Sequence, residues 1–151
     1  MQVRQILALK GSALYTIRPQ QTVAEAIAIM SEHDVGSLVC FEAGRMVGML
    51  TFRELLRAVH QFGGKAGDAA VASIMVSDPP RVPADAEMDH LRLVMLRTHA
   101  RYLPVMDGDS FLGVVSFHDV ARAVLEQQGF ENIQMKAYIT GQLAEEVPQP
   151  G

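Results

Sequence analysis

Two tetrads in this chain have residue types and a spacing that suit chemistry: Thr51-Phe52-Arg53-Glu54 and Ser116-Phe117-His118-Asp119. Each sets a hydroxyl three residues before a carboxylate. At the start of a helix, that pair can bond each other's backbone N–H groups as a capping box. The same helix start also offers unpaired N–H groups to an anion. Glu is the usual box partner, so capping accounts well for Thr51 and Glu54. Asp119 suits the box less well, which leaves more room for a ligand role. Arg53 and His118 can meet an anion or simply face water. Arg101 adds a guanidinium suited to phosphate, with a surface ion pair as its alternative. Lys10, beside Gly11, has the same two readings.

Other chemistries find no support in the residues. The five histidines form no His-x-x-x-His or His-Glu-x-x-His pair, and one cysteine adds no zinc motif. Neither a Gly-x-Ser-x-Gly elbow nor a P-loop occurs. Cys40 lies in an apolar run and reads as a core residue. We therefore expect no catalytic residue and no metal.

The elements that must position the tetrads follow from composition and periodicity. The chain has 151 residues, 49% hydrophobic and 20% charged, enough apolar content for a core. No apolar run approaches the ~20 residues of a membrane span, and the N-terminus lacks a signal-peptide core. A single cysteine fits a reducing cytoplasm. Thirteen basic residues stand against 17 acidic ones, a formal charge of −4, with no tryptophan and no basic run. That balance argues against a nucleic-acid partner.

Shifted by 65 residues, Thr16–Val59 aligns without a gap on Arg81–Val124. Met30 then pairs with Met95, Leu38 with Leu103, Gly48 with Gly113 and Phe52 with Phe117. Upstream, Val3-Arg4-Gln5-Ile6-Leu7 resembles Val71-Ala72-Ser73-Ile74-Met75 as a lead-in. Each repeat reads as helix, strand, strand, helix. Thr22 and Glu25 cap the first helix, whose stripe is Val23, Ala26, Ile27 and Met30; Gly36 ends it. Leu38–Phe41 and Met46–Leu50 make a hairpin, and a second helix buries Leu55, Leu56, Val59 and Phe62. In repeat two, Met88, Leu91, Val94 and Met95 form the stripe. Leu103–Met106 and Phe111–Val115 form the hairpin. Pro104 marks an edge strand, or a place where the backbone must stay free. Gly63 to Asp68 reads as a flexible connection, residues 130–138 as a short helix and residues 145–151 as a frayed tail. One repeat is too small to be stable alone, so the two are expected to share one core.

This tandem pattern resembles a pair of cystathionine-β-synthase (CBS) domains. The residues that carry the resemblance are Val3-x-x-Ile6-Leu7, Val35-Gly36-Ser37-Leu38-Val39 and Gly48-Met49-Leu50-Thr51-Phe52-Arg53-Glu54. In repeat two they are Val71-x-x-Ile74-Met75, Arg101-Tyr102-Leu103-Pro104-Val105 and Gly113-Val114-Val115-Ser116-Phe117-His118-Asp119. Ala137-Tyr138-Ile139-Thr140-Gly141 is similar to the ending of small stand-alone bacterial members. The resemblance implies an α+β (mixed α/β) fold with pseudo-two-fold symmetry. Repeats would fill 1–62 and 71–128, with a linker over 63–70 and a C-terminal helix and tail over 129–151.

It also implies a non-enzymatic sensor that binds an adenosine-containing ligand where the repeats meet. AMP, ADP or ATP are the first expectations, with S-adenosylmethionine or NADH as further ones. The family signature Gly-x-x-Thr/Ser-x-x-Asp uses its carboxylate on the ribose hydroxyls. Repeat two keeps that Asp, so its site is expected to be the better one: Val82, Arg101, Tyr102, Leu103, Pro104, Ser116, His118 and Asp119. Repeat one has Glu54 instead, a longer reach, and would form a weaker site from Lys10, Thr16, Ile17, Gly36, Ser37, Leu38, Thr51, Arg53 and Glu54. With no space for an attached enzyme, the chain would regulate an unidentified protein in trans, as a homodimer in the cytoplasm. The rival reading is a ligand-free structural module for dimerisation or interaction, with both tetrads serving only as caps.

Overall fold

The structure, a computed structural model, describes residues 1–11 and 14–128. Its elements alternate as the repeat requires. Helix α1 (Val3–Lys10) leads in; then β1 (Thr16–Ile17), α2 (Val23–His33), β2 (Ser37–Glu42), β3 (Arg45–Thr51) and α3 (Phe52–Phe62) form repeat one. Repeat two has β4 (Val82–Pro83), α4 (Met88–Thr98), β5 (Tyr102–Asp107), β6 (Ser110–Ser116) and a helix α5 over 117–128. Each repeat holds one three-stranded sheet, ordered β1-β2-β3 and β4-β5-β6. The outer pair is parallel, the inner hairpin antiparallel. Both hairpins carry a bulge at the same repeat position, Cys40/Phe41 and Val105/Met106. No described helix is long and apolar enough to cross a membrane. The expected C-terminal helix, the tail and the Ala137–Gly141 similarity lie outside the described residues.

Burial explains how the two halves are joined. Rather than one shared core, the buried side chains form two clusters, and each is completed by the other repeat's lead-in. Val3 and Ile6 of α1 pack with Val82, Leu91, Leu103 and Val115 of repeat two. Val71 packs with Ile17, Ala26, Leu38 and Leu50 of repeat one. Backbone bonds fasten both exchanges: Val3 N–H to Ala86 O at 2.9 Å, and Val71 N–H to Gln21 O at 2.8 Å. Either repeat alone would leave part of its apolar floor open. Two glycines at equivalent positions admit these segments. A Cβ on Gly48 would come within 2.7 Å of Met75 Sδ, and one on Gly113 within 3.2 Å of Leu7 Cδ2.

Several local expectations change. α2 ends at His33, not at Gly36, because Asp34 takes the left-handed conformation of a C-cap (φ 51°); His99, its repeat counterpart, does the same after α4 (φ 57°). Ile27 is exposed. α3 turns Glu54 and Ala58 inward, while Leu56, Val59 and Phe62 face outward; Leu56 is 70% exposed. Gly63–Asp68, expected as a connection without regular structure, is a short 3-10 turn that buries Ala66. Pro104 sits in the central strand β5, not at an edge. Its counterpart Val39 donates its N–H to Tyr15 O at 3.2 Å, just before β1. Proline cannot make that bond, and β4 accordingly pairs only from Val105 onward. Only the N–H bond is missing there; the parallel pairing of Val82 with Val105 still engages the Pro104 carbonyl.

Candidate functional site

Both tetrads are complete capping boxes. Thr51 N–H and Oγ1–H donate to Glu54 Oε1 at 2.8 Å each, and Arg53 N–H donates to Thr51 Oγ1 at 3.2 Å. Ser116 N–H donates to Asp119 Oδ2 at 2.8 Å, and Asp119 N–H donates to Ser116 Oγ at 3.0 Å. The expectation that Asp119 would serve the box poorly is thus corrected: the shorter carboxylate still reaches the N-cap N–H. The tetrads differ in burial. Glu54 is 4% exposed, the one buried charged residue among those described. Its Oε2 takes no hydrogen-bond partner among the described residues.

The two junctions also differ in what faces them. Lys10 was expected beside Thr51 and Glu54, but α1 crosses to repeat two and carries Lys10 to the other junction. Its Nζ donates to Asp119 Oδ2 and to Val114 O, both at 2.8 Å. Burial raises the Asp119 pKa, but the Lys10 and Ser116 hydrogen bonds and the Lys10 charge outweigh it. The net result lies below the ordinary 3.8. The carboxylate expected to hold a ribose therefore already has a cation on it.

The first junction opens onto a cleft of about 720 Å³. Thr51, Arg53 and Glu54 line it from repeat one, and Arg101 and Tyr102 from repeat two. Arg101 and Tyr102 were expected to serve the Asp119 site. The backbone of Arg101 does sit there, accepting Phe117 N–H at 2.8 Å, yet the residue borders the first cleft. Tyr102 crosses to Gly36, where any Cβ would overlap its hydroxyl and lie 3.0 Å from Phe52 Cε2. The missing side chain of Gly36 is what lets the repeats close here. Ser37 pairs with Thr51 at the end of the hairpin.

Four expected ligand residues have their side chains committed elsewhere. Ile17 and Leu38 belong to one core cluster, Val82 and Leu103 to the other. Pro104 is buried, whereas Thr16 and His118 are exposed. The structure adds cleft residues that motif reading missed. Val76, Pro79 and Pro80, from the lead-in to repeat two, form an apolar wall, and Arg57 and His60 extend the α3 side. Arg57 and His60 were legible as helical followers of Arg53, at i+4 and i+7. No group of three or more metal-ligating side chains occurs among the described residues.

The cleft can accept an anionic, partly flat ligand: apolar prolines and an aromatic ring on some walls, guanidiniums on others. Two pseudo-equivalent α+β repeats, cross-tied by their lead-ins around such a cleft, define a tandem-repeat module. The CBS domain family model matches residues 8–61 and 71–126, and the chain belongs to that family. An uncharacterised 17.7 kDa protein of Acidianus ambivalens is 35% identical over 115 residues, covering 75% of this chain and 68% of that one. The crystal structure of a CBS-domain containing protein from Agrobacterium tumefaciens superposes with a TM-score of 0.78 at 27% identity, covering 82% of this chain and 98% of that one. A CBS domain pair solved in complex with 5′-methylthioadenosine and S-adenosyl-L-methionine shares the fold: TM-score 0.74, 22% identity, 84% and 98% covered.

Proposed function

We propose that the chain is a regulatory module, not an enzyme. It binds an adenosine-containing ligand, AMP, ADP or ATP, in the cleft at Thr51–Glu54. The observation that carries this reading is the cleft's mixed ownership: Thr51, Arg53 and Glu54 come from one repeat, Arg101 and Tyr102 from the other. A ligand there contacts both repeats and favours the arrangement in which both contacts are made. The helix start and the guanidiniums suit phosphate, the free Oε2 of Glu54 suits a ribose hydroxyl, and Pro79, Pro80 and Tyr102 suit a planar base. A CBS pair of the same fold binds 5′-methylthioadenosine and S-adenosylmethionine, which keeps S-adenosylmethionine among the candidates, with NADH after it. The output passes in trans to a partner protein in the cytoplasm. A homodimer would cover Val59, an outward apolar side chain of α3.

A ligand-free interaction module is the second reading, favoured by the completeness of both capping boxes, which need no ligand to be satisfied. Melting curves separate the two. A ligand at 100 times its dissociation constant adds about 2.7 kcal/mol of stability. We expect at least one of AMP, ADP, ATP, S-adenosylmethionine and NADH to raise the melting temperature. If none does, the sensor reading fails and the interaction reading stands.

A further inference from the structure

Building on the reading of the first cleft as an adenosine-ligand site, we propose that this cleft selects a ligand bearing a phosphate chain, diphosphate or longer, over a monophosphate. Arg53, Arg57 and His60 stand at i, i+4 and i+7 on α3, along one side of the helix. All three line the cleft, and Arg101 lines it from the other repeat. None of the four makes an ion pair among the described residues. The carboxylate bordering them, Glu54, already holds Thr51. Three guanidiniums gathered around one cavity, in a chain of formal charge −4, repel one another. All four residues are exposed, so water screens that repulsion and leaves the groups open to a ligand. A bound polyanion would give each fork its own phosphate oxygens. Arg53 is already held in place, donating from Nη2 to His99 O at 3.1 Å.

The repeat supplies an internal control. At the equivalent positions of the second junction, Arg53 becomes His118, His60 becomes Leu125 and Arg101 becomes Gly36. Arg57 becomes Arg122, which is spent on Glu126 at 3.3 Å. The fold therefore does not require the cation set; it belongs to one cleft alone. A monophosphate can engage one or two of these groups, whereas a chain of phosphates can extend along the α3 stripe toward His60.

Titration calorimetry in buffer with EDTA tests this, using adenosine, AMP, ATP and inorganic tripolyphosphate. We expect ATP to bind at least about tenfold more tightly than AMP, a difference of ~1.4 kcal/mol, and tripolyphosphate to compete with ATP. In an Arg57→Gln/Arg101→Gln variant, ATP should lose that advantage while AMP changes by less than about threefold. AMP binding as tightly as ATP in the wild type overturns the proposal, as does a variant that weakens both equally. Tripolyphosphate binding with no adenosine compound binding would sink the adenosine reading and keep the polyphosphate one. AMP and adenosine binding without an ATP advantage would do the reverse. Silence from all four probes rejects both.

Discussion

Lys10 Nζ and Asp119 Oδ2 meet at 2.8 Å although 109 residues separate them in sequence. The pair ties the end of α1 to the start of α5, closing the cross-repeat exchange on that side. It also gives the carboxylate of the second tetrad an internal partner.

That relationship sets an acid-stability prediction. The Asp119 pKa is depressed in the folded state, so its contribution is fully present above the unfolded value and is lost as pH falls through the folded one. Lys10→Met leaves burial, which raises the pKa, opposed by fewer bonds. The variant should be less stable at pH 7 by ~0.5–1 kcal/mol, a modest figure because Lys10 is well exposed to solvent. The gap should narrow as pH falls through the acid range, read as urea midpoints from pH 7 down to pH 3. A gap that stays constant with pH would mean the pair contributes through packing alone.

Gly36→Ala should destabilise the fold by about 1–3 kcal/mol, the usual cost of overpacking, because the new Cβ meets the Tyr102 hydroxyl. Adding Tyr102→Phe removes that oxygen and should recover part of the loss. Thermal melts of the two single variants and the double variant check this; strict additivity would deny the contact.

Cys40 is fully buried, and burial first, then the nearby Glu54 charge, pushes its thiol up to about 12. The thiolate is the reactive form. At pH 8 a disulfide reagent should leave the folded protein untouched and label it promptly in urea. Fast labelling of the native state would contradict the burial of β2.

Leu56 is 70% exposed where α3 borders the first cleft, and Val59, 53% exposed, lies outside that lining. If the Val59 side pairs with a second copy, Val59→Glu should convert a dimer to a monomer in sedimentation runs while leaving the far-UV circular dichroism intact. A wild-type monomer at the same concentration would remove the dimer from the account.

The repeat, the hairpins and the caps were legible in the sequence because each is local. Thr22 and Glu25, Thr51 and Glu54, and the pairing of Gly48 with Gly113 need only spacing to be seen. The exchange of lead-ins was not legible. Val3 and Val71 look alike in sequence, and nothing local says that each serves the other repeat's core. That exchange is why Lys10 arrives at Asp119 instead of Thr51. It is also why Pro79 and Pro80 wall the first cleft. Pro104 misled for a related reason: the proline rule concerns a missing bond, and here the short β4 simply begins one residue later. The outward turn of Leu56 escaped because apolar spacing alone does not distinguish a core face from one left bare.

The central claim is that an adenosine nucleotide binds at the first junction and bridges the repeats. The most direct measurement is an amide NMR titration of the labelled protein with ATP. The account predicts the largest shifts at Thr51–Glu54 together with Ala100, Arg101 and Tyr102, from both sides of the cleft at once. Shifts confined to Ser116–Asp119, or no shifts at millimolar ATP, would contradict it.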